Sequence, residues 1–81
     1  MSKIRVLLAD DHAILREGVR LMLQAQPDIE VVGEAADGRA AVSLAGALQP
    51  DLILMDLSMP IIGGLEATRL VRQDCPNTRV L

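Results

Sequence analysis

The sequence contains no Phe, Tyr or Trp and only one cysteine. Without aromatic rings the core has to be aliphatic, assembled from Val, Leu, Ile, Ala and Met. With Cys75 alone no internal disulfide can form, and intracellular residence is the simplest reading. Cys75 stands just before Pro76, at an expected helix end, with no His or extra cation beside it. It reads as a small hydrophobe rather than a nucleophile. No apolar run approaches the ~18 residues of a membrane span and no signal-peptide layout is visible, so a cytoplasmic chain with no membrane contact is expected. Clusters of basic residues are missing as well. The 8 Lys and Arg are scattered among 11 Asp and Glu, for a net charge of -3. Broad nucleic-acid binding by this segment is therefore disfavoured, because phosphate contacts need grouped cations. Internal repeats, low-complexity tracts and interdomain linkers are absent too.

What is present is a chain of 81 residues, 51% of them hydrophobic. That is one small domain, since chains of this size bury only ~60% of their unfolded surface. Its organising stretch runs from Asp51 to Pro60. Leu52, Ile53, Leu54 and Met55 form an unbroken apolar run that stops at Asp56. A run this short, bounded by Pro50 and by Met59 and Pro60, suits a strand buried on both faces of a parallel sheet. Asp56 then lies at the strand's carboxyl end, where open α/β sheets bind their ligands. A second apolar run, Val6 to Ala9, ends on Asp10 and Asp11. Two such strands side by side would focus three acids on one sheet edge, which is costly unless a cation sits there.

The remaining elements follow in order. Lys3 to Ala9 is the first strand, Asp10 to His12 a turn, and Asp11 a candidate cap for the helix after it. Ala13 to Gln26 is helical, with Leu15, Val19 and Met22 as its apolar stripe and Arg16, Glu17, Arg20 and Gln24 as its wet side. Pro27 and Asp28 end it. Ile29 to Ala35 is the second strand, and Asp37-Gly38 signals a turn or helix cap. Arg39 to Leu48 is an Ala-rich helix that Gln49 and Pro50 break. After the third strand and a loop over residues 57–63, Gly64 to Asp74 is the third helix. Leu65, Ala67 or Thr68, Leu70 and Val71 should face inward, and Glu66, Arg69, Arg72 and Gln73 outward. Thr78 to Leu81 begins a fourth strand, and an unfinished strand there leaves backbone groups unpaired along one side. The β-α-β-α-β-α-β alternation predicts an α/β fold with a parallel sheet and right-handed crossovers.

Five pieces in register carry a family resemblance. They are Asp10-Asp11-His12; Arg16-Glu17-Gly18; Val31-Val32-Gly33-Glu34-Ala35; the run from Asp56 to Met59-Pro60; and the run from Gly64 to Arg69. Together they resemble the receiver domain of two-component response regulators, in the NarL/FixJ-like (LuxR-type) branch of transcriptional regulators. The resemblance implies a flavodoxin-like, doubly wound sheet of order 2-1-3-4-5. This chain then corresponds to the N-terminal two thirds of a receiver, residues 1–81, ending at the start of strand four. It also implies Asp56 as the phosphoacceptor, and Mg²⁺ held by Asp11, Asp56 and the backbone carbonyl of Ser58, with Asp10 helping through a bound water. A sensor histidine kinase is the implied partner. DNA would be bound only through a helix-turn-helix domain outside this chain.

That chemistry is sound on its own terms. A carboxylate can act as a covalent nucleophile toward a phosphoryl group, and the reaction is then mostly positioning and charge neutralisation. Mg²⁺ takes few carboxylates plus waters and phosphate oxygens in octahedral geometry, which two acids and one carbonyl fit. Without metal, acids so close should raise at least one carboxyl pKa. His12 reads as a solvated residue of the first turn, Arg16 and Glu17 as a wet face, and Gly63-Gly64 as turn geometry rather than a phosphate cradle, since no P-loop spacing surrounds it.

The chain departs from the family pattern at three places. Ile61 stands where a small or flexible residue follows Met-Pro, Gly63 where Asn or Asp precedes the second glycine, and Ala13 where many relatives have proline. The loop's shape should change more than its metal chemistry. The family's Thr or Ser at the end of strand four and Lys at the end of strand five fall beyond Leu81. The 81-residue chain is therefore expected to bind Mg²⁺ weakly, to phosphorylate poorly, and to self-associate or exchange strands through its open edge. Two alternatives have other functions: a pseudo-receiver acting only as an interaction module, and a Mg²⁺-dependent phosphohydrolase with an aspartyl nucleophile. Such hydrolases place a second acid two residues past the nucleophile, and Ser58 is found there. The chain itself is accordingly expected to accept a phosphoryl group rather than to work as an enzyme.

Overall fold

The computed structural model describes residues 3–57 and 59–81. Its elements alternate as β1 (Ile4–Ala9), α1 (Ala13–Gln24), β2 (Ile29–Ala35), α2 (Gly38–Leu48), β3 (Leu52–Met55), α3 (Gly64–Asp74) and β4 (Arg79–Val80). The sheet order is β2-β1-β3-β4 and every pairing is parallel. This is the flavodoxin-like, doubly wound arrangement expected from the alternation and the resemblance. Helix α1 is shorter than expected. The Ala25 and Gln26 amides close back on Leu21 and Leu23, turning the chain before Pro27.

The apolar runs are explained by where their strands lie. β1 has a strand on each side and helices over both faces, so Val6 to Ala9 are at most 2% exposed. Alternate side chains serve different layers. Leu7, Ala9 and Ile53 enter a cluster with Ala41 and Ala45 of α2, Val71 of α3, and Cys75. Small residues one turn apart let α2 and α3 approach this face closely: Ala41 and Ala45 in one, Ala67 and Val71 in the other, all fully buried. Cys75 is buried in that core, as a small hydrophobe would be. Leu8 and Leu54 point the other way and line a groove of about 370 Å³ beneath α1, together with Leu15, Val19 and Leu81.

Two side-chain assignments change. Leu65 is 75% exposed, because the buried stripe of α3 runs through Ala67 and Val71 and residue 65 falls off it. In α1 no residue is buried. Of its expected apolar stripe, Leu15 and Met22 are 57% and 72% exposed and only Val19 is partly covered. Arg16 and Arg20 of the expected wet side are the partly buried ones. A helix with apolar residues on two sides does not say from its periodicity which side meets the sheet.

The β1–β2 register shifts by one residue between Val6, opposite Val31, and Leu7, opposite Gly33. Val32 is the extra residue of a β-bulge. Beyond it the parity of β2 is reversed, so that Glu34 stands beside Leu8 on the α1 side and Ala35 beside Ala9 on the core side.

The segment after β3 is shaped by close backbone approaches. A Cβ on Gly64 would lie 2.2 Å from the Asp56 carbonyl oxygen, and one on Gly38 would lie 1.9 Å from that of Ile62. Neither glycine has a positive φ. Their role is to bring the first turns of α3 and α2 against the loop. Ile61 does have one, φ 71°, and the Ile62 amide donates to the Pro60 carbonyl across it at 2.9 Å, closing a γ-turn. This is the position where the resemblance implies a small or flexible residue. A β-branched side chain there costs about 1–2 kcal/mol. Since Ile61 is 70% exposed, little burial offsets that cost. Ile61→Gly is therefore expected to raise the stability of the fold by about 1 kcal/mol in chemical denaturation. An unchanged or lower midpoint would show that the loop stores no such strain.

Candidate metal centre

The site is made by continuing two adjacent strands past their ends. Ala9 of β1 pairs with Met55 of β3. The next residues, Asp10 and Asp56, leave the sheet side by side. The ladder extends to hold them: the Asp56 amide donates to the Ala9 carbonyl at 2.9 Å and the Asp10 amide to the Ala35 carbonyl at 3.0 Å. Asp10, Asp11, His12 and Asp56 each offer one ligand atom, all within 4.8 Å of one another. The side chains of Asp10, Asp11 and Asp56 are 21%, 32% and 25% exposed. The cluster is thus open to solvent, yet set into the edge of the fold. Ser58 falls outside the described residues.

Like charges at ~4 Å near a protein surface repel by about 4 kcal/mol, so three carboxylates need a counter-charge. His12 provides it. Its Nδ1 lies 2.9 Å from Asp10 Oδ1, 3.2 Å from Asp11 Oδ1 and 3.7 Å from Asp56 Oδ2. The Asp10 bond and the neighbouring acids raise the His12 pKa above its ordinary 6.5. At Asp10 partial burial works to raise the carboxyl pKa, but the backbone and ring hydrogen bonds from His12 outweigh it and the net shift is downward. The expectation that crowded acids raise a carboxyl pKa is thus not met at Asp10, whose shift is downward.

His12, read from sequence as a solvated first-turn residue, is indeed exposed, but its ring stands among the acids. It also takes the helix-cap position of α1, although its side chain makes no capping bond. The cap expected from Asp11 is therefore not formed. Asp10 Oδ1 instead accepts the His12 amide at 2.8 Å, in a tight side-chain turn that aims the ring at the cluster. The three carboxylate oxygens form a donor set that can hold a divalent cation in place of the imidazolium. Ligand atoms around a small hard cation lie at most about 4.2 Å apart, so the cluster would have to close only slightly.

Protonated His12 contributes stability below pH 6.5 that is lost as pH rises through its higher folded-state value. Asp10 acts in the opposite sense: its contribution is present above pH 3.8 and lost as pH falls through the lowered value. By NMR, the His12 ring is expected to titrate above 6.5, to move down in Asp10→Asn, and to move down again when a divalent cation is added to the native chain. A ring titrating at or below 6.5 would contradict the arrangement.

Comparison with known proteins gives the fold a family. Residues 6–81 match the family model of the response regulator receiver domain. The chain is 50% identical over 78 residues to the transcriptional regulatory protein LiaR of Bacillus subtilis (strain 168) and, to the same extent, to the response regulator protein VraR of Staphylococcus aureus (strain NCTC 8325). Each match covers 96% of this chain and 37% of the relative. The chain thus spans little more than a third of the length of the curated relatives it matches. Among solved structures, the signal receiver domain of the response regulator NarL from Mycobacterium tuberculosis superimposes with a TM-score of 0.94 at 42% identity, over 99% of this chain and 64% of that one. With sequence, strand order and tertiary shape in agreement from Val6 to Leu81, the chain belongs to the response regulator receiver domain family.

Proposed function

We propose that this chain is the phosphoacceptor module of a two-component transcriptional regulator, with Asp56 taking the phosphoryl group and Asp10, Asp11 and Asp56 holding Mg²⁺. The observation that carries the reading is the convergence of the three carboxylates at the ends of adjacent strands, with ligand atoms within 4.8 Å. The backbone carbonyl of Ser58 completes the proposed ligand set. The donors fit the ion: they are mainly hard oxygens, partly solvated, so that waters and phosphate oxygens can fill the remaining positions. Bound there, Mg²⁺ supplies neutralisation of the charge that builds on the transferring group.

The chain's own residues do the rest. Asp56 presents a carboxylate oxygen at the open end of the sheet, and its backbone is fixed by the bond to Ala9 and by Gly64 packed against its carbonyl. The oxygen attacks phosphorus, an O–P bond forms, and the donor's bond to phosphorus breaks. With a phosphohistidine donor, the leaving imidazole nitrogen takes up a proton. The product is an aspartyl phosphate on a chain that is consumed and reset rather than turning over. His12 has to give up its place among the acids when the cation binds, since both neutralise the same charge.

A sensor histidine kinase in the cytoplasm is the proposed donor, and DNA contact is assigned to a further domain outside this chain. LiaR is named as a transcriptional regulatory protein, which supports that assignment. Among the described residues, no helix is long and apolar enough to cross a membrane. Incubating the chain with a small acyl phosphate and Mg²⁺ is expected to add, slowly and in part of the sample, the mass of one phosphoryl group, lost in Asp56→Asn and on removal of the metal. An adduct that survives Asp56→Asn would move the acceptor elsewhere. Multiple turnover of the donor would make the chain a hydrolase, and no adduct in the native chain would leave an interaction module.

A further inference from the structure

Arg16 lies one turn into α1, where its sequence position suggests a solvated face. In the structure it is partly buried and points back across the end of β1. Its Nη1 donates to the Asp10 carbonyl oxygen at 2.6 Å, and its Nε donates to Glu34 Oε1 at 3.0 Å. Its side chain is only 20% exposed. Arg20, one turn on, places its Nε 3.4 Å from Glu34 Oε2, so both oxygens of that carboxylate are engaged. Glu34 reaches this side of the sheet only because the bulge at Val32 reverses the parity of β2. Three segments therefore meet at one guanidinium: α1 supplies it, β2 anchors it, and the first peptide after Asp10, just past β1, accepts from it.

The peptide it holds joins Asp10 to Asp11. The Asp10 amide is already bonded to the Ala35 carbonyl at 3.0 Å. With Arg16 on its carbonyl, Asp10 is fixed through both of its backbone polar groups, and the start of Asp11 is fixed with it. We propose that Arg16, anchored by Glu34, is the positioning residue of the acid cluster: it sets the Asp10–Asp11 peptide so that both carboxylates face Asp56. The proposal rests on the metal-binding reading above and extends it to residues that touch neither the metal nor phosphorus. A planar guanidinium can bond a carbonyl and a carboxylate at once in a fixed geometry, which a lysine cannot reproduce.

The sign of the effect separates positioning from plain electrostatics. Arg16 is a cation beside a cation site, so removing its charge alone would tighten Mg²⁺ binding. Loss of positioning would weaken it. In Arg16→Gln, Mg²⁺ affinity, followed by NMR titration of the 81-residue chain, is expected to fall about tenfold or more, the usual effect of losing a group that orients metal ligands. Arg16→Lys should not restore it. Amide hydrogen exchange at Asp10 and His12, measured without metal, should speed up about tenfold, as for loss of one charged hydrogen bond. Exchange at Leu7 and Ile53 in the core should stay unchanged. Glu34→Gln keeps the Arg16 charge and removes its anchor; its metal-free exchange at Asp10 and His12 should speed up in the same way, and this readout, unlike affinity, does not follow from the lost Glu34 charge, so it also covers the case of a poorly folding Arg16 variant. Unchanged exchange at Asp10 and His12, or Mg²⁺ binding that holds or tightens, would overturn the proposal. If the native chain shows no Mg²⁺ response, the metal reading fails, and the exchange measurement still decides whether Arg16 positions the acids.

Discussion

Everything at the functional edge depends on the parallel pairing of β1 with β3. Pairing Ala9 with Met55 decides which residues come next to each other beyond the last rung, and those residues are acids. Parallel strands run their carboxyl ends to the same side, so two apolar runs that each stop at an aspartate must bring their charges together. The apolar part of each run is stabilised by burial on both faces. The charged part is left at the rim, where water, an imidazole or a metal can neutralise it. Core packing and site formation are thus two consequences of the same register.

The sequence made much of this readable. Unbroken runs at Val6–Ala9 and Leu52–Met55 identify buried parallel strands because alternation is missing from them. The turn residues Pro27, Asp37, Pro50 and Pro76 punctuate the chain close to where its elements change. The Asp37 side chain does cap α2, accepting the Ala40 amide at 2.7 Å. Other features could not be read from the sequence. α1 has apolar residues on more than one side, and the side it turns to the sheet carries Val19 together with Arg16 and Arg20, which meet Glu34, a contact between elements that no helical periodicity encodes. The bulge is hidden because Val31 and Val32 are both β-branched and either could occupy the next rung. His12 was legible as an exposed residue, but its place among the acids follows from the tight turn at Asp10, which depends on side-chain geometry.

Charge is distributed unevenly over the two sides of the sheet. The α2 and α3 side is closed by alanines, Val71 and Cys75, and its Arg69–Glu66 pair lies on the exposed face of α3. The α1 side combines an apolar groove with a network of Arg16, Arg20, Glu17 and Glu34. Exposed pairs of this kind add little stability. The partly buried Arg16 contact differs because it terminates on a backbone carbonyl, where losing the donor would leave the acceptor unsatisfied. The polar network therefore matters more for the shape of the β1–α1 turn than for holding the helix down.

The two glycines beneath the β3–α3 loop have a mechanical consequence. Gly38 opens α2 directly under the Ile62 carbonyl, and Gly64 opens α3 directly under that of Asp56. With no side chain between them, backbone rests on backbone at both places, so there is no soft layer to absorb a displacement. A methyl group at either position would have to push main chain aside rather than a side chain, so both places are closed to every residue that carries a Cβ.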